Sequence, residues 1–180
     1  MSQKKAIKDV LRFMNMEQCN SVSTPMDKSM QFGNIKSEEK VNAPYREVIG
    51  RIMYIMLCSR PDMCYAISEL SRYQESPTIV YWQGVKRLVR YLKSSLNMEL
   101  LYKKNVSELP LVGFDDADYA ADERTRKSTS GYLFKVFGNT VTLTSKKQQV
   151  IACSTTEAEY LALSLAVQEG VWLRDLLSDL

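Results

Sequence analysis

Residues 131–163 read GYLFKVFGNTVTLTSKKQQVIACSTTEAEYLAL. Two runs rich in β-branched and aromatic residues, 131–137 and 140–145, flank the pair Gly138-Asn139, a signal for a two-residue hairpin. Residues 149–153 resume an extended pattern. Ser154 then opens a helix, because Ser154 and Glu157 have the S-x-x-E spacing of a capping box. Leu161, Ala162 and Leu165 follow at helical intervals, and Trp172, Leu173, Leu176 and Leu177 extend the apolar face. The stretch therefore predicts strands that give way to a helix. Working backward, residues 109–116 read as the preceding strand and residues 99–103 as a short earlier one.

Upstream of residue 97 the period is helical. Residues 3–16 place Ile7, Val10, Leu11 and Met14 on one side, and Lys4, Lys5 and Lys8 lead into that amphipathic stretch. Residues 17–43 lose periodicity and carry Ser, Thr, Pro, Asp and Gly, as a loop or linker does. From Tyr45, a stripe of Val48, Ile49, Ile52, Met53 and Met56 predicts a helix. Pro61 suits the first position of the next, which continues through Ala66, Ile67, Leu70 and Tyr73. After Ser76-Pro77, Tyr81, Val85, Leu88, Val89 and Leu92 are core-spaced, and Lys86, Arg87, Arg90 and Lys93 occupy the opposite side. The expected fold class is α+β in three parts: a short helix and linker (1–44), a helical segment (45–105), and strands followed by a helix (106–180).

The bulk composition permits this. The chain has 180 residues, 45% hydrophobic and 25% charged, which is ordinary for a globular protein. Its longest apolar run is too short to span a bilayer, and its start does not resemble a secretion signal. Histidine is absent and Cys19, Cys58, Cys64 and Cys153 are scattered. That argues against zinc and against histidine-based acid–base chemistry. The net charge of +3 is unevenly spread. A basic block (Lys86 to Lys104) is followed by an acidic one (Glu108 to Glu123) and by Arg124, Arg126 and Lys127. Such a succession fits either alternating solvated surfaces or a protein holding a polyanion beside a carboxylate cluster.

The acidic block contains GFDDADYAAD, residues 113–122. Strand alternation predicts that Val112, Phe114 and Asp116 share a core-facing row, with Asp115 on the other side. An uncompensated carboxylate at such a rim is costly, so either a hydrated turn or a cation has to compensate it. Glu157 is occupied by the cap, which leaves Glu159 one turn inside the helix, turned toward Asp116. Two hard oxygen donors suit Mg²⁺ or Mn²⁺.

The stretches GFDDADYAADERTRKSTSGYLF, TSKKQQVIACSTTEAEYLAL and EGVWLRDLL resemble the ribonuclease H domain of copia-type LTR retrotransposon polyproteins. FMNMEQCNSVSTPM, PYREVIGRIMYIMLCSRPDMCYAISELSRY and WQGVKRLVRYLKSS resemble the segment that links reverse transcriptase to that domain. The resemblance implies a helical connection segment followed by a partial ribonuclease H-like fold, an antiparallel three-stranded meander plus helix that lacks the later strands. It also implies hydrolysis of the RNA strand of RNA/DNA hybrids with two Mg²⁺ ions. It implies a catalytic, metal-binding Asp116 from the family's S-D-A-D motif, in which Asp115 stands here for the serine. It also implies a catalytic, metal-binding Glu159 as the second acid of T-E-A-E-Y. Lys86, Arg87, Arg90 and Lys93 are candidate phosphate contacts, or simply a wet helix face. Arg126, Lys127, Ser128 and Thr129 are candidates too, or a tight turn.

Two further acids of the family and its Y-V-D-D polymerase motif are not in this sequence, so the expectation is an internal slice of a polyprotein that does not cleave alone. The implied partners are an RNA/DNA hybrid and the rest of the polyprotein, with no membrane. The implied location is cytoplasmic particles, with the nucleus as a second site. A non-catalytic nucleic-acid-binding module and an inactive transposon remnant are the alternative expectations.

Overall fold

The computed structural model describes residues 1–27, 39–104, 108–122 and 124–180. The chain divides into two units, Met1–Leu100 and Leu101–Leu180. Together they form an α+β protein with a partial sheet.

The first unit is helical: α1 (Lys4–Phe13), α2 (Tyr45–Ser59), a 3₁₀ turn (Pro61–Met63), α3 (Cys64–Ser71) and α4 (Ile79–Ser94). Pro61 opens the 3₁₀ turn, where its missing N–H costs nothing. The apolar stripes meet in one core. Ile7, Val10 and Leu11 of α1 join Val48, Ile49, Ile52 and Ile55 of α2, Ala66, Ile67 and Leu70 of α3, and Val85, Leu88, Val89 and Leu92 of α4. Each large aliphatic side chain in such a set contributes about 1.5–3 kcal/mol by leaving water. Tyr45 is buried with its hydroxyl donating to the Leu70 carbonyl at 2.8 Å. Among the described residues one cation is buried with them: Arg60, 1% exposed. Its guanidinium forks onto Asp62 at 2.9 and 2.7 Å and donates to Ser95 at Oγ and at the carbonyl. Tyr91 donates to the same carboxylate at 2.7 Å. Burial alone would raise the Asp62 pKa, but hydrogen bonds from Arg60 and Tyr91 hold it below the usual carboxylate value. The expected loop at 17–43 carries no helix or strand over 17–27, and residues 28–38 lie outside the described residues. Lys40 forms an isolated bridge with Thr78.

The second unit is a meander of β1 (Leu111–Asp118), β2 (Thr129–Val136) and β3 (Asn139–Lys147), all antiparallel in the order β1-β2-β3, followed by α5 (Thr155–Ser178). Val136 pairs with Asn139, so the two-residue loop is Phe137-Gly138, one position before the expected pair. Both loop residues have positive φ, 45° and 80°, as a type I′ turn requires. Asn139 therefore begins a strand, and its side-chain amide does separate work. It accepts from the Lys103 N–H at 2.8 Å and donates to the Lys103 carbonyl at 2.9 Å. That clamp takes the backbone groups a ladder would use, and residues 99–103 are not a strand. Residues 149–153 are not a strand either. Only Ala152 is buried there, while Val150 and Ile151 are about half exposed, so no sheet face meets the pattern.

Helix α5 packs on the sheet through a row of small residues. Ala158, Ala162, Ala166 and Leu173 are its buried positions, while Trp172 and Leu176, expected on the apolar face, are exposed. The Phe134 ring is held between strand and helix. A Cβ on Gly113 would lie 2.4 Å from that ring and one on Gly170 at 3.1 Å, so glycine at both positions is what admits it. Gly113 is paired with Phe134 in the sheet, and paired residues share a face. The β1 row toward α5 is therefore Leu111, Gly113 and Asp115. Val112, Phe114 and Asp116 form the other row, and Phe114 is 54% exposed. This reverses the parity expected from sequence. A glycine, read as a gap in the apolar pattern, is the residue the core needs. No described helix is long and apolar enough to cross a membrane.

Candidate functional site

Ser154 caps α5 as expected: its Oγ accepts from the Glu157 N–H at 3.1 Å, and Glu157 reaches back to the Cys153 N–H at 2.6 Å. The cap consumes Glu157. A second anchor fixes the same turn. Gln148, buried at the end of β3, donates to the Ala158 carbonyl and to Ser130 Oγ, both at 2.9 Å. The residue after Ala158 is Glu159, so its backbone is tied to two strands before its side chain does anything.

Asp115 and Asp116 at the end of β1 and Glu159, Tyr160 and Leu163 of α5 line one cleft of about 500 Å³. All five side chains are exposed, Tyr160 at 70%. The structure thus brings Asp116 and Glu159 to a common opening, although Asp116 lies on the row turned away from α5. Sequence reasoning missed Asp115 and Tyr160 here. The signal for both was present: Asp115 has the parity of Gly113, and Tyr160 is a large aromatic with no place on the alanine stripe.

Two carboxylates beside water fit one hydrated Mg²⁺ or Mn²⁺, since such ions keep several waters. No group of three or more acidic, histidine or cysteine side chains able to hold a metal occurs among the described residues.

The basic candidates have other work. Arg87 donates to Thr24 Oγ1 at 2.8 Å and lies 3.4 Å from Asp27. Arg90 donates to the Asn20 carbonyl at 2.6 Å, and Lys93 to the Cys19 carbonyl at 2.8 Å. These three side chains lace the segment before residue 28 onto α4. Lys86 lies over the Trp82 ring, 5.8 Å from its centroid. On the sheet unit, Ser128 is fully buried and accepts from the Ala120 N–H at 3.0 Å. Thr129 is buried as the first residue of β2, paired with Asp118 and Lys147. Lys127 donates to the Gln149 carbonyl. Arg126 is exposed at a left-handed turn position, φ 54°, its N–H bonded to the Asp122 carbonyl. Ser128 and Thr129 thus act as turn and strand residues, and Arg126 keeps its guanidinium outward.

No family model matches the chain, and no solved structure matches it. It is 38% identical over 187 residues to the retrovirus-related Pol polyprotein from transposon TNT 1-94 of Nicotiana tabacum, covering all of this chain and 14% of that one. It is 35% identical over 182 residues to the corresponding polyprotein from transposon RE1 of Arabidopsis thaliana, covering all of this chain and 12% of that one. It is also 47% identical over 132 residues to a protein of Plasmopara viticola named secreted RxLR effector protein 161, over 73% of this chain and 92% of that one. The chain thus spans a small part of the polyproteins it matches from end to end.

Proposed function

The chain belongs to the family of copia-type retrotransposon Pol polyproteins, matching one segment of them, and on that premise we propose that its sheet unit is the leading part of a ribonuclease H-type site. The observation that carries this reading is the shared cleft. Asp116 of β1 and Glu159 of α5, 43 residues apart in sequence, border one opening. In this reading both carboxylates hold a single divalent ion, with Asp115 beside them. The ion, when bound, would polarise a phosphate oxygen of the nucleic acid. Tyr160 and Leu163 wall the cleft and limit how the strand enters. The cap at Ser154 and the Gln148 anchor keep the Glu159 backbone from drifting as charge arrives.

The substrate class is the RNA/DNA hybrid, and work on it belongs to cytoplasmic particles or the nucleus. Two-metal hydrolysis asks for more carboxylates than the described residues gather, so the 180-residue chain binds hybrid without cutting it. Hybrid binding measured by fluorescence anisotropy, in Mg²⁺ and in EDTA, tests this. The expectation is tighter binding with Mg²⁺, an increment lost in Asp116→Asn and in Glu159→Gln, with the RNA strand intact. Equal affinity in both buffers, unchanged by either substitution, contradicts the reading and favours a metal-independent binding module.

A further inference from the structure

Helix α1 turns Ile7, Val10 and Leu11 into the helical core and leaves Lys4, Lys5, Lys8, Asp9 and Arg12 exposed around a groove of about 350 Å³. Lys4, Lys8 and Arg12 recur every four residues, close to one turn apart and roughly 6 Å of rise each. Arg12 is partly engaged, 3.3 Å from Asp9 and 3.6 Å from Glu17. The three lysines have no ion-pair partner among the described residues, and the first turn of the helix contains no acid. The helix dipole therefore adds to their positive field. On α4 the situation is the reverse, because Arg87, Arg90 and Lys93 are consumed by the segment they tether.

We propose that the lysine face of α1 is a docking surface for the phosphate backbone of a nucleic-acid duplex, contacted without regard to sequence. This goes beyond the function proposed for the sheet unit, since it concerns the helical unit and needs no metal. A regular row of cations on a rigid helix fits a polymer with evenly spaced charges. An anionic membrane fits less well: an interfacial helix must bury its apolar side in lipid, and here that side is already in the core.

The test is binding of the whole chain to a labelled RNA/DNA hybrid in EDTA, followed from 50 to 200 mM salt, concentrations chosen because phosphate contacts weaken steeply across that range. Each lost phosphate contact lowers the log–log salt slope by about 0.9. Lys4→Gln, Lys5→Gln and Lys8→Gln together are expected to reduce it by about 2 to 3. The triple arginine variant is expected to retain it, which separates charge from folding. An unchanged slope in the glutamine variant overturns the proposal, as does binding of the chain to phosphatidylserine vesicles in preference to the hybrid. Because EDTA removes any metal, these outcomes stand apart from success or failure at the Asp116–Glu159 cleft.

Discussion

The helical unit and the sheet unit differ most in what they do with their apolar residues. In the first, four helices direct their stripes inward, and Val48, Ile52, Leu70, Val85, Leu88 and Leu92 are at 0% exposure. In the second, the shared cluster centres on Phe134, Ala166 and Leu173, with Leu111 and Tyr132 partly buried against it. Phe114, Tyr160, Leu163, Val167, Val171, Trp172 and Leu176 remain exposed. Helix α5 is apolar on more than its packed side, and β1 pairs on one edge only among the described residues. A helix that is apolar beyond its contact face and an unpaired strand edge both signal unused binding capacity. Hydrophobic burial is therefore concentrated in the helical unit, and the cleft acids Asp115, Asp116 and Glu159 sit on the thinly cored one. Local opening should follow the same division, with slow amide exchange in α2 and α4 and fast exchange in β1 and α5.

The contrast can be broken from the strong side. Leu88 is fully buried at the centre of the helical core. Leu88→Ala is expected to cost that unit about 3 kcal/mol, read as a lower urea midpoint for exchange in α2 and α4. If only the β1–β3 peptides respond, the division is wrong.

A smaller effect comes from the weak side. Gly113→Val would drive a side chain into the Phe134 ring, and overpacking of this kind costs about 1–3 kcal/mol. The loss should appear in sheet-unit exchange while α2 and α4 are unaffected. A neutral result would mean that Phe134 moves aside without cost and does not organise that core.

The smallest expected effect is a pH slope confined to the sheet unit. Burial alone would raise the Asp122 pKa, but hydrogen bonds from Lys147 and Thr125 hold it well below the usual carboxylate range. A folded value below the unfolded value of about 3.9 means a contribution present above that pH and lost as pH falls below it. Asp122→Asn should flatten this acid limb, as followed by tryptophan-independent amide exchange in β3.

Much of this architecture is legible in the sequence, and the reasons are local. Apolar spacing at 3.6 residues locates α1 to α4 because each stripe finds a partner stripe. Ser154 and Glu157 announce α5 because a cap is written in four residues. The errors arise where distant groups decide. Residues 99–103 look extended, yet an asparagine amide from the hairpin occupies the backbone of Lys103. The β1 parity was misread because Gly113 looks inert until the Phe134 ring is placed over it. The same error affected the acids, making Asp116 seem to face the helix when Asp115 has that parity. Arg87, Arg90 and Lys93 looked like a free cationic face because nothing in the sequence says that carbonyls of residues 19 and 20 and the side chains of Thr24 and Asp27 receive them.

The central claim concerns Asp116 and Glu159, and the most direct measurement is paramagnetic broadening by Mn²⁺ in an NMR spectrum of the ¹⁵N-labelled chain. The account predicts broadening centred on the amides around Asp115, Asp116, Glu159 and Tyr160, displaced by Mg²⁺ and abolished by Asp116→Asn. Broadening spread evenly over the exposed acids of both units, and insensitive to that substitution, would contradict it.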